Sequence, residues 1–84
     1  MAKALIYTTA TCPYCRLAKQ LLTELGVEIE EIRVDLDPAK RQEMVERTGR
    51  LTVPQIFIDG HFIGGYRELL KLYQSGRLRE LLRP

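Results

Sequence analysis

The segment TVPQIFIDGHFIGG, residues 52–65, constrains the fold more than any other part of the chain. Two short apolar runs flank Asp59 and Gly60, and Asp-Gly is a favoured two-residue turn between antiparallel strands. The segment therefore predicts a β-hairpin. Because proline cannot donate a hydrogen bond to a sheet ladder, Pro54 should lie at the beginning or the edge of the first hairpin strand.

A strand followed by a helix is predicted at the beginning of the chain. The apolar, β-branched run ALIYT, residues 4–8, is typical of a buried strand. Proline is favoured at the first helical position, so Pro13 indicates that a helix begins there with Cys12 as its N-cap. Leucines at helical spacing follow, and Gly26 is a suitable end for the helix.

A second strand and helix come next. Residues 27–36 alternate imperfectly, and they predict a strand centred near Ile32 and Val34. Asp37 followed by proline indicates a second helix start, and Gly49 indicates its end.

The region after the hairpin predicts helices. Apolar and aromatic side chains recur at i, i+3, i+4 and i+7 from Tyr66 to Tyr73, and a last helical turn follows Gly76. The order βαβαββαα with a right-handed parallel crossover predicts an α/β fold, a mixed four-stranded sheet flanked by helices. We expect residues 1–84 to form a single domain.

Composition excludes some functions and partners. The formal net charge of the 84 residues is only +2, so we expect neither nucleic-acid nor membrane partners. The opening MAKALIY has no apolar stretch long enough for a signal peptide, and a cytoplasmic location is expected. In that compartment, paired cysteines are more often catalytic or metal-binding than structural.

The motif CPYC holds both cysteines of the chain, Cys12 and Cys15. A structural zinc site usually needs four Cys or His ligands, and the chain adds only the distant His61, so no metal is expected. Haem attachment needs a histidine where Arg16 stands. A purely structural disulfide stays open as the less favoured alternative, since closing so short a loop constrains little of the unfolded chain.

Redox chemistry explains the position of the motif best. A sulfur at a helix N-cap can accept hydrogen bonds from the free amides of Tyr14 and Cys15, and the helix dipole further favours the thiolate. No acidic residue precedes Glu24, so the local sequence around the cysteines is cationic. Cys12 is therefore the expected nucleophile and Cys15 the recessed resolving thiol.

Pro54 has two interpretations. It could be an ordinary proline at a strand edge, which is the commoner case. Alternatively, a cis Val53–Pro54 bond would leave the Val53 backbone free to pair with an extended peptide beside the cysteines.

CPYC, TVPQIFIDG and IGGY, in this order and at this spacing, resemble the small dithiol glutaredoxins of bacterial type. The resemblance spans essentially the whole chain. It implies a thioredoxin-like fold, with glutathione as both substrate and reductant. It also implies that Cys12 is the nucleophile and Cys15 the resolving thiol.

The resemblance further implies which residues contact glutathione. Thr52, Val53 and Pro54 would meet its cysteinyl part, Tyr14 would flank it, and Arg41 would meet the glycyl carboxylate. The γ-glutamyl end would lie against Gly65, Tyr66 and Arg67. Simpler alternatives stay open, because Arg41 could be a solvated helix charge and Tyr66 could be a core residue.

Two positions depart from the family pattern. Thr9 stands where a lysine is usual, and Arg67-Glu68 stands where Asp, Ser or Thr followed by Asp is usual. These departures weaken one carboxylate contact and partly reverse an acidic pocket, so we expect an effect on glutathione affinity.

The sequence thus predicts a glutathione-dependent thiol–disulfide oxidoreductase. Its expected partners are glutathione and disulfide-bearing or glutathionylated proteins, and a monomer is expected. Two alternatives remain: a dimer holding a [2Fe–2S] cluster through Cys12 and glutathione, which Pro13 disfavours, and a redoxin reduced by thioredoxin reductase.

Overall fold

The computed structural model describes residues 2–83, and Met1 and Pro84 lie outside the described residues. None of the described helices is long and apolar enough to cross a membrane. The elements in chain order are β1 (Lys3–Thr8), α1 (Pro13–Glu24), β2 (Glu28–Arg33), α2 (Pro38–Thr48), β3 (Gln55–Ile58), β4 (His61–Gly64), α3 (Tyr66–Gln74) and α4 (Arg77–Leu82).

The strands form a four-stranded sheet in the order β2-β1-β3-β4. β1 pairs in parallel with β2, with Leu5 opposite Glu30, and antiparallel with β3, with Leu5 opposite Phe57. β3 and β4 form the antiparallel hairpin. The predicted mixed sheet and the predicted element order are confirmed.

The predicted helix starts and the hairpin turn are confirmed in detail. Cys12 caps α1, and the Asp37 carboxylate caps α2 by accepting a hydrogen bond of 2.9 Å from the Ala39 N–H. In the hairpin, Asp59 and Gly60 have φ angles of 48° and 84°. Positive φ at both turn residues is the geometry that favours Asp-Gly between twisted strands.

The second strand is shorter than predicted, because it ends at Arg33. Val34 lies beyond the end of the strand, although only 3 % of its surface is exposed. Its N–H still donates to the Thr8 carbonyl at 2.9 Å, which keeps the chain beside the end of β1. An apolar residue that packs in the core beyond the last hydrogen-bonded pair of a strand gives the same sequence pattern as a strand residue, so the predicted strand was too long.

Two apolar cores cover the two faces of the sheet. The larger contains Ile6 and Ile56 from the sheet, packed against Leu22 of α1, Leu69 of α3 and Leu78 of α4. The smaller contains side chains on the α2 side of the sheet, namely Tyr7, Val34, Met44 and Phe57. Helices on both faces leave the carboxyl end of β1 and the beginning of α1 at one edge of the molecule.

We predict that Asp37→Ala lowers the free energy of unfolding by about 1 kcal/mol, because the Ala39 N–H then loses its hydrogen-bond acceptor at the start of α2. Urea denaturation measures the change. Glu46→Ala, on an exposed position of the same helix, is the control and should change stability by less than about 0.5 kcal/mol. Equal effects of the two substitutions would contradict the capping role of Asp37.

Candidate active site

Cys12 lies where the loop after β1 enters α1. It adopts extended backbone angles (φ −97°, ψ 109°), and its sulfur accepts a hydrogen bond of 3.2 Å from the Cys15 N–H. The sequence predicted bonds from the amides of Tyr14 and Cys15, and among the described residues the Cys15 amide donates this bond. The Cys12 Sγ also lies 3.7 Å from the Val53 carbonyl oxygen. The thiol is half-buried and faces the loop before β3.

Cys15 occupies a very different environment, although both cysteines are free thiols. Only 1 % of its surface is exposed. Burial, and next its hydrogen bond with Cys12, raise the pKa of the Cys15 thiol to about 12, while the Thr9 backbone and the Lys19 charge act in the opposite direction. The two thiols are therefore divided into one accessible sulfur and one shielded sulfur that stays protonated at neutral pH.

The loop before β3 lies opposite Cys12, and a side-chain hydrogen bond joins it to the first residue of that strand. The Val53–Pro54 peptide bond is cis, as the second interpretation of Pro54 requires, while pairing of the Val53 backbone with an extended peptide stays a prediction. The Gln55 side-chain amide donates to the Thr52 carbonyl at 2.9 Å. A Cβ at Gly65 would lie only 3.3 Å from the Pro54 carbonyl oxygen, so the absence of a side chain allows the beginning of α3 to approach this loop closely.

A groove of about 380 Å³ runs between this loop and the beginning of α3. Tyr14 and Tyr66 flank it with stacked rings, their centroids 5.9 Å apart. Tyr14 is 59 % exposed, as expected for a side chain available to a ligand. The groove is lined by the predicted residues Tyr14, Thr52, Val53, Pro54, Gly65, Tyr66 and Arg67, and also by Arg50, Gln55, Glu68 and Leu70.

Arg50 and Glu68 line the groove, although neither was among the predicted site residues. The Arg50 guanidinium contacts the Glu68 carboxylate at 2.6 Å, and the same carboxylate accepts a hydrogen bond of 2.8 Å from the Gly65 N–H. The Gly65 amide first, and Arg50 next, hold the pKa of Glu68 below its usual range. Glu68 was visible as a departure from the family pattern, but the reach of Arg50 across the groove depends on the fold of its loop.

Arg41 is exposed on α2 and is not among the residues that line the groove. Its predicted contact with a glycyl carboxylate stays a prediction.

The charge around the cysteines differs from the cationic pattern of the local sequence. Lys19 contacts Glu31 of β2 at 2.9 Å, and the Ala10 N–H donates to Asp35 at 3.2 Å. These acidic residues lie far along the chain, and the parallel pairing of β1 with β2 brings them close to the site. The cationic neighbourhood is therefore partly neutralised.

An accessible thiol at a helix N-cap, with a shielded thiol within bridging reach, can form a mixed disulfide and then release its partner by forming an internal disulfide. The fold and the site thus define the chain as a thiol–disulfide oxidoreductase.

The comparisons with known proteins give the family. The family model described as Glutaredoxin matches residues 4–63. Glutaredoxin 3 of Escherichia coli K12 is 52 % identical over 83 residues, which cover 99 % of this chain and 100 % of the relative. A glutaredoxin of Neisseria meningitidis is 46 % identical over 85 residues and is covered completely, as is this chain. The chain belongs to the glutaredoxin family.

Solved structures agree with the fold. A glutaredoxin from Brucella melitensis has a TM-score of 0.84 and 46 % identity, with 98 % of this chain and 89 % of that chain covered. A buckwheat glutaredoxin in complex with glutathione has a TM-score of 0.86 and 29 % identity, with 94 % of this chain and 74 % of that chain covered. The predicted thioredoxin-like fold is confirmed.

We predict that iodoacetamide at pH 8 modifies Cys12 and leaves Cys15 unmodified in the folded protein. At a pKa of about 12, about one Cys15 thiol in 10⁴ is ionised at pH 8, and the sulfur is also buried. Mass spectrometry of digested protein measures both sites. Cys15→Ser should react at a rate close to wild type, while Cys12→Ser should be nearly inert. Equal modification of both thiols in the folded protein would contradict this division.

Proposed function

We propose that the protein is a glutathione-dependent oxidoreductase that reduces protein–glutathione mixed disulfides and protein disulfides through Cys12 and Cys15. The observation that carries the proposal is the groove between the Val53–Pro54 loop and the beginning of α3. Cys12 does not line this groove, but its sulfur lies 3.7 Å from the carbonyl oxygen of Val53, which does. The glutathione complex of the buckwheat relative supports the choice of ligand.

The chemistry of the groove suits a short anionic peptide thiol. Glutathione has two carboxylates, one ammonium group and a cysteinyl peptide unit, and it would place its sulfur next to Cys12. The Arg67 guanidinium is exposed at the groove and is a candidate for one carboxylate. The ion pair between Arg50 and Glu68 offers charges of both signs. The stacked rings of Tyr14 and Tyr66 provide an apolar wall for the cysteinyl part.

Reduction of a glutathionylated protein would need only Cys12. The Cys12 thiolate attacks the sulfur of the glutathionyl group, the disulfide between glutathione and the protein breaks, and the protein leaves as a thiolate that takes up a proton. A second glutathione thiolate then attacks the glutathionyl sulfur on Cys12. Glutathione disulfide leaves, and the Cys12 thiolate is regenerated with no net change in the enzyme.

Reduction of a protein disulfide would need both thiols. Cys12 attacks one sulfur of the substrate and forms a mixed disulfide, and the other substrate sulfur leaves and is protonated. Cys15 then loses its proton and attacks the Cys12 sulfur, which releases the second substrate thiol and leaves a Cys12–Cys15 disulfide. Two glutathione molecules would supply the two electrons that reduce this disulfide.

The proposal includes a cytoplasmic, monomeric enzyme whose partners are glutathione and disulfide-bearing or glutathionylated proteins. A coupled assay with glutathione, glutathione reductase and a small glutathione mixed disulfide tests it, with NADPH consumption as the readout. Turnover that depends on glutathione supports the proposal. Turnover with thioredoxin reductase in place of glutathione, or a coloured cluster-bound dimer without glutathione-dependent turnover, would contradict it.

We predict that Cys15→Ser retains reduction of a glutathione mixed disulfide but loses reduction of a protein disulfide. Glutathione can replace the resolving thiol only when the group on Cys12 is itself glutathione. Cys12→Ser should lose both activities. Steady-state rates with the two substrates measure the difference. Substantial turnover by Cys12→Ser would rule out Cys12 as the nucleophile.

We predict that Arg67→Gln raises the KM for glutathione roughly 1.4- to 5-fold at low salt, because an exposed ion pair contributes about 0.2–1 kcal/mol. The increase should shrink at high salt, which screens the interaction. Arg41→Gln tests the contact with the glycyl carboxylate in the same way. Because Thr9 stands in place of the usual lysine, Arg41 is the expected partner of that carboxylate. Arg79→Gln, on α4, is the control. An unchanged KM in a variant removes that arginine from the binding site.

A further inference from the structure

The protein-disulfide route of the proposed function requires a step that the environment of Cys15 disfavours. Cys15 must become a thiolate before it can attack the mixed disulfide on Cys12. Cys15 is 1 % exposed, and burial, followed by the hydrogen bond with Cys12, raises the pKa of its thiol to about 12. A nearby positive charge would favour this ionisation.

Lys19 of α1 belongs to a cluster of three side chains, together with Glu31 of β2 and Thr8 of β1. The Lys19 ammonium contacts the Glu31 carboxylate at 2.9 Å, and the same Glu31 oxygen accepts a hydrogen bond of 2.6 Å from the Thr8 hydroxyl. Thr8 is completely buried at the end of β1. Lys19 follows Cys15 by four positions on α1, so the two side chains lie on the same face of the helix. The sheet thus holds, through Glu31, the ammonium group of a residue that lies one helical turn from Cys15.

We propose that Lys19, held by Glu31, is a positioning residue for the resolving step, and that its positive charge stabilises the Cys15 thiolate as it attacks the mixed disulfide. In this step the Cys15 S–H bond breaks and its proton goes to water. The new bond joins the sulfurs of Cys15 and Cys12. The bond between Cys12 and the substrate breaks, and the substrate thiolate leaves with the electron pair and takes up a proton.

The contribution of Lys19 matters most in the mixed disulfide itself. Two of the causes that raise the pKa of Cys15, after burial, are the hydrogen bond and the charge of Cys12. Cys12 has no charge once its sulfur is bonded to a substrate. Burial then remains as the opposing effect, and the Thr9 backbone and the Lys19 charge remain as the favourable effects.

The other charges around the cluster keep this arrangement intact at neutral pH. The Thr8 hydroxyl first, and Lys19 next, hold the pKa of Glu31 below its usual range, so the carboxylate is ionised and holds the ammonium. The carboxylate offsets part of the Lys19 charge, and the Lys19 charge still lowers the pKa of Cys15. Arg33, on the same strand, also acts on Glu31, but it forms its own ion pair with Asp35 at 2.6 Å. Cys12 and Lys19 on α1, and Glu31 and Arg33 on β2, are the titratable and charged groups of this cluster.

The test follows the two thiols separately without glutathione. Limiting 5,5′-dithiobis(2-nitrobenzoate) is mixed with reduced protein in a stopped-flow instrument. Attack by Cys12 releases the first thionitrobenzoate, and attack by Cys15 on the resulting mixed disulfide releases the second. The second phase is intramolecular, so its rate constant does not depend on reagent concentration and reports the resolving step directly.

We predict that Lys19→Gln slows the second phase roughly 2- to 10-fold, because a partly exposed charge near a thiol shifts its pKa by up to about one unit. The first phase should stay near the wild-type rate. Loss of the cation raises the pKa of Cys15, so the pH profile of the second phase should move to higher pH. Lys19→Arg, which keeps the charge, should restore both the rate and the profile.

Lys3→Gln is the matched control. Lys3 of β1 forms an ion pair of 3.3 Å with Glu30 of β2. Lys3 lies at the opposite end of β1 from Thr8. The Lys3→Gln substitution removes the same charge as Lys19→Gln, and it should leave the rates of both phases unchanged. If Lys19→Gln slows the first phase as much as the second, the Lys19 charge acts on Cys12 as well, and the proposal is overturned.

An unchanged second phase in Lys19→Gln, or a slow second phase that Lys19→Arg does not restore, would also overturn the proposal. These outcomes are separate from a failure of the proposed function. If the coupled assay shows no glutathione-dependent turnover, the glutathione assignment fails, while the two-phase reaction still measures the resolving step.

Discussion

The hydrogen bond from the Cys15 N–H to the Cys12 sulfur is the interaction on which the rest of the site depends. It makes the reactive sulfur the N-cap of α1, so the Cys15 amide and the dipole of the helix act on that sulfur. It also fixes the second thiol on the shielded side of the first helical turn. One local contact thus sets both the position of the nucleophile and the burial of its partner.

The burial of Cys15 has opposite effects on two parts of the chemistry. It protects the second thiol from other reactants, and it raises the pKa of that thiol, which slows its own attack. The ion pair of Lys19 with Glu31 lies on the same helix face, and its carboxylate is anchored by buried Thr8. In the proposed mechanism, the core shields the Cys15 sulfur, and the Lys19 charge favours its ionisation.

The groove depends on contacts between segments that are distant in the sequence. The loop at Val53 lies across from Cys12, and the beginning of α3 reaches this loop because Gly65 has no side chain. Arg50 and Glu68 then connect the loop and the helix across the groove. The groove therefore combines a backbone edge near the nucleophile with charges of both signs.

The sequence by itself determined the element order, both N-caps, the hairpin turn and the two cysteines of the site, because these features depend on local preferences of residues such as Pro13, Asp37 and Gly60. Only the tertiary structure decided the end of β2, the neutralisation of the local cationic pattern by Glu31, the bridge between Arg50 and Glu68, and the position of Arg41 outside the groove. Each of these results depends on strand pairing or on side-chain reach across the fold. Such contacts join residues far apart in the chain, and no local pattern encodes the distance between them.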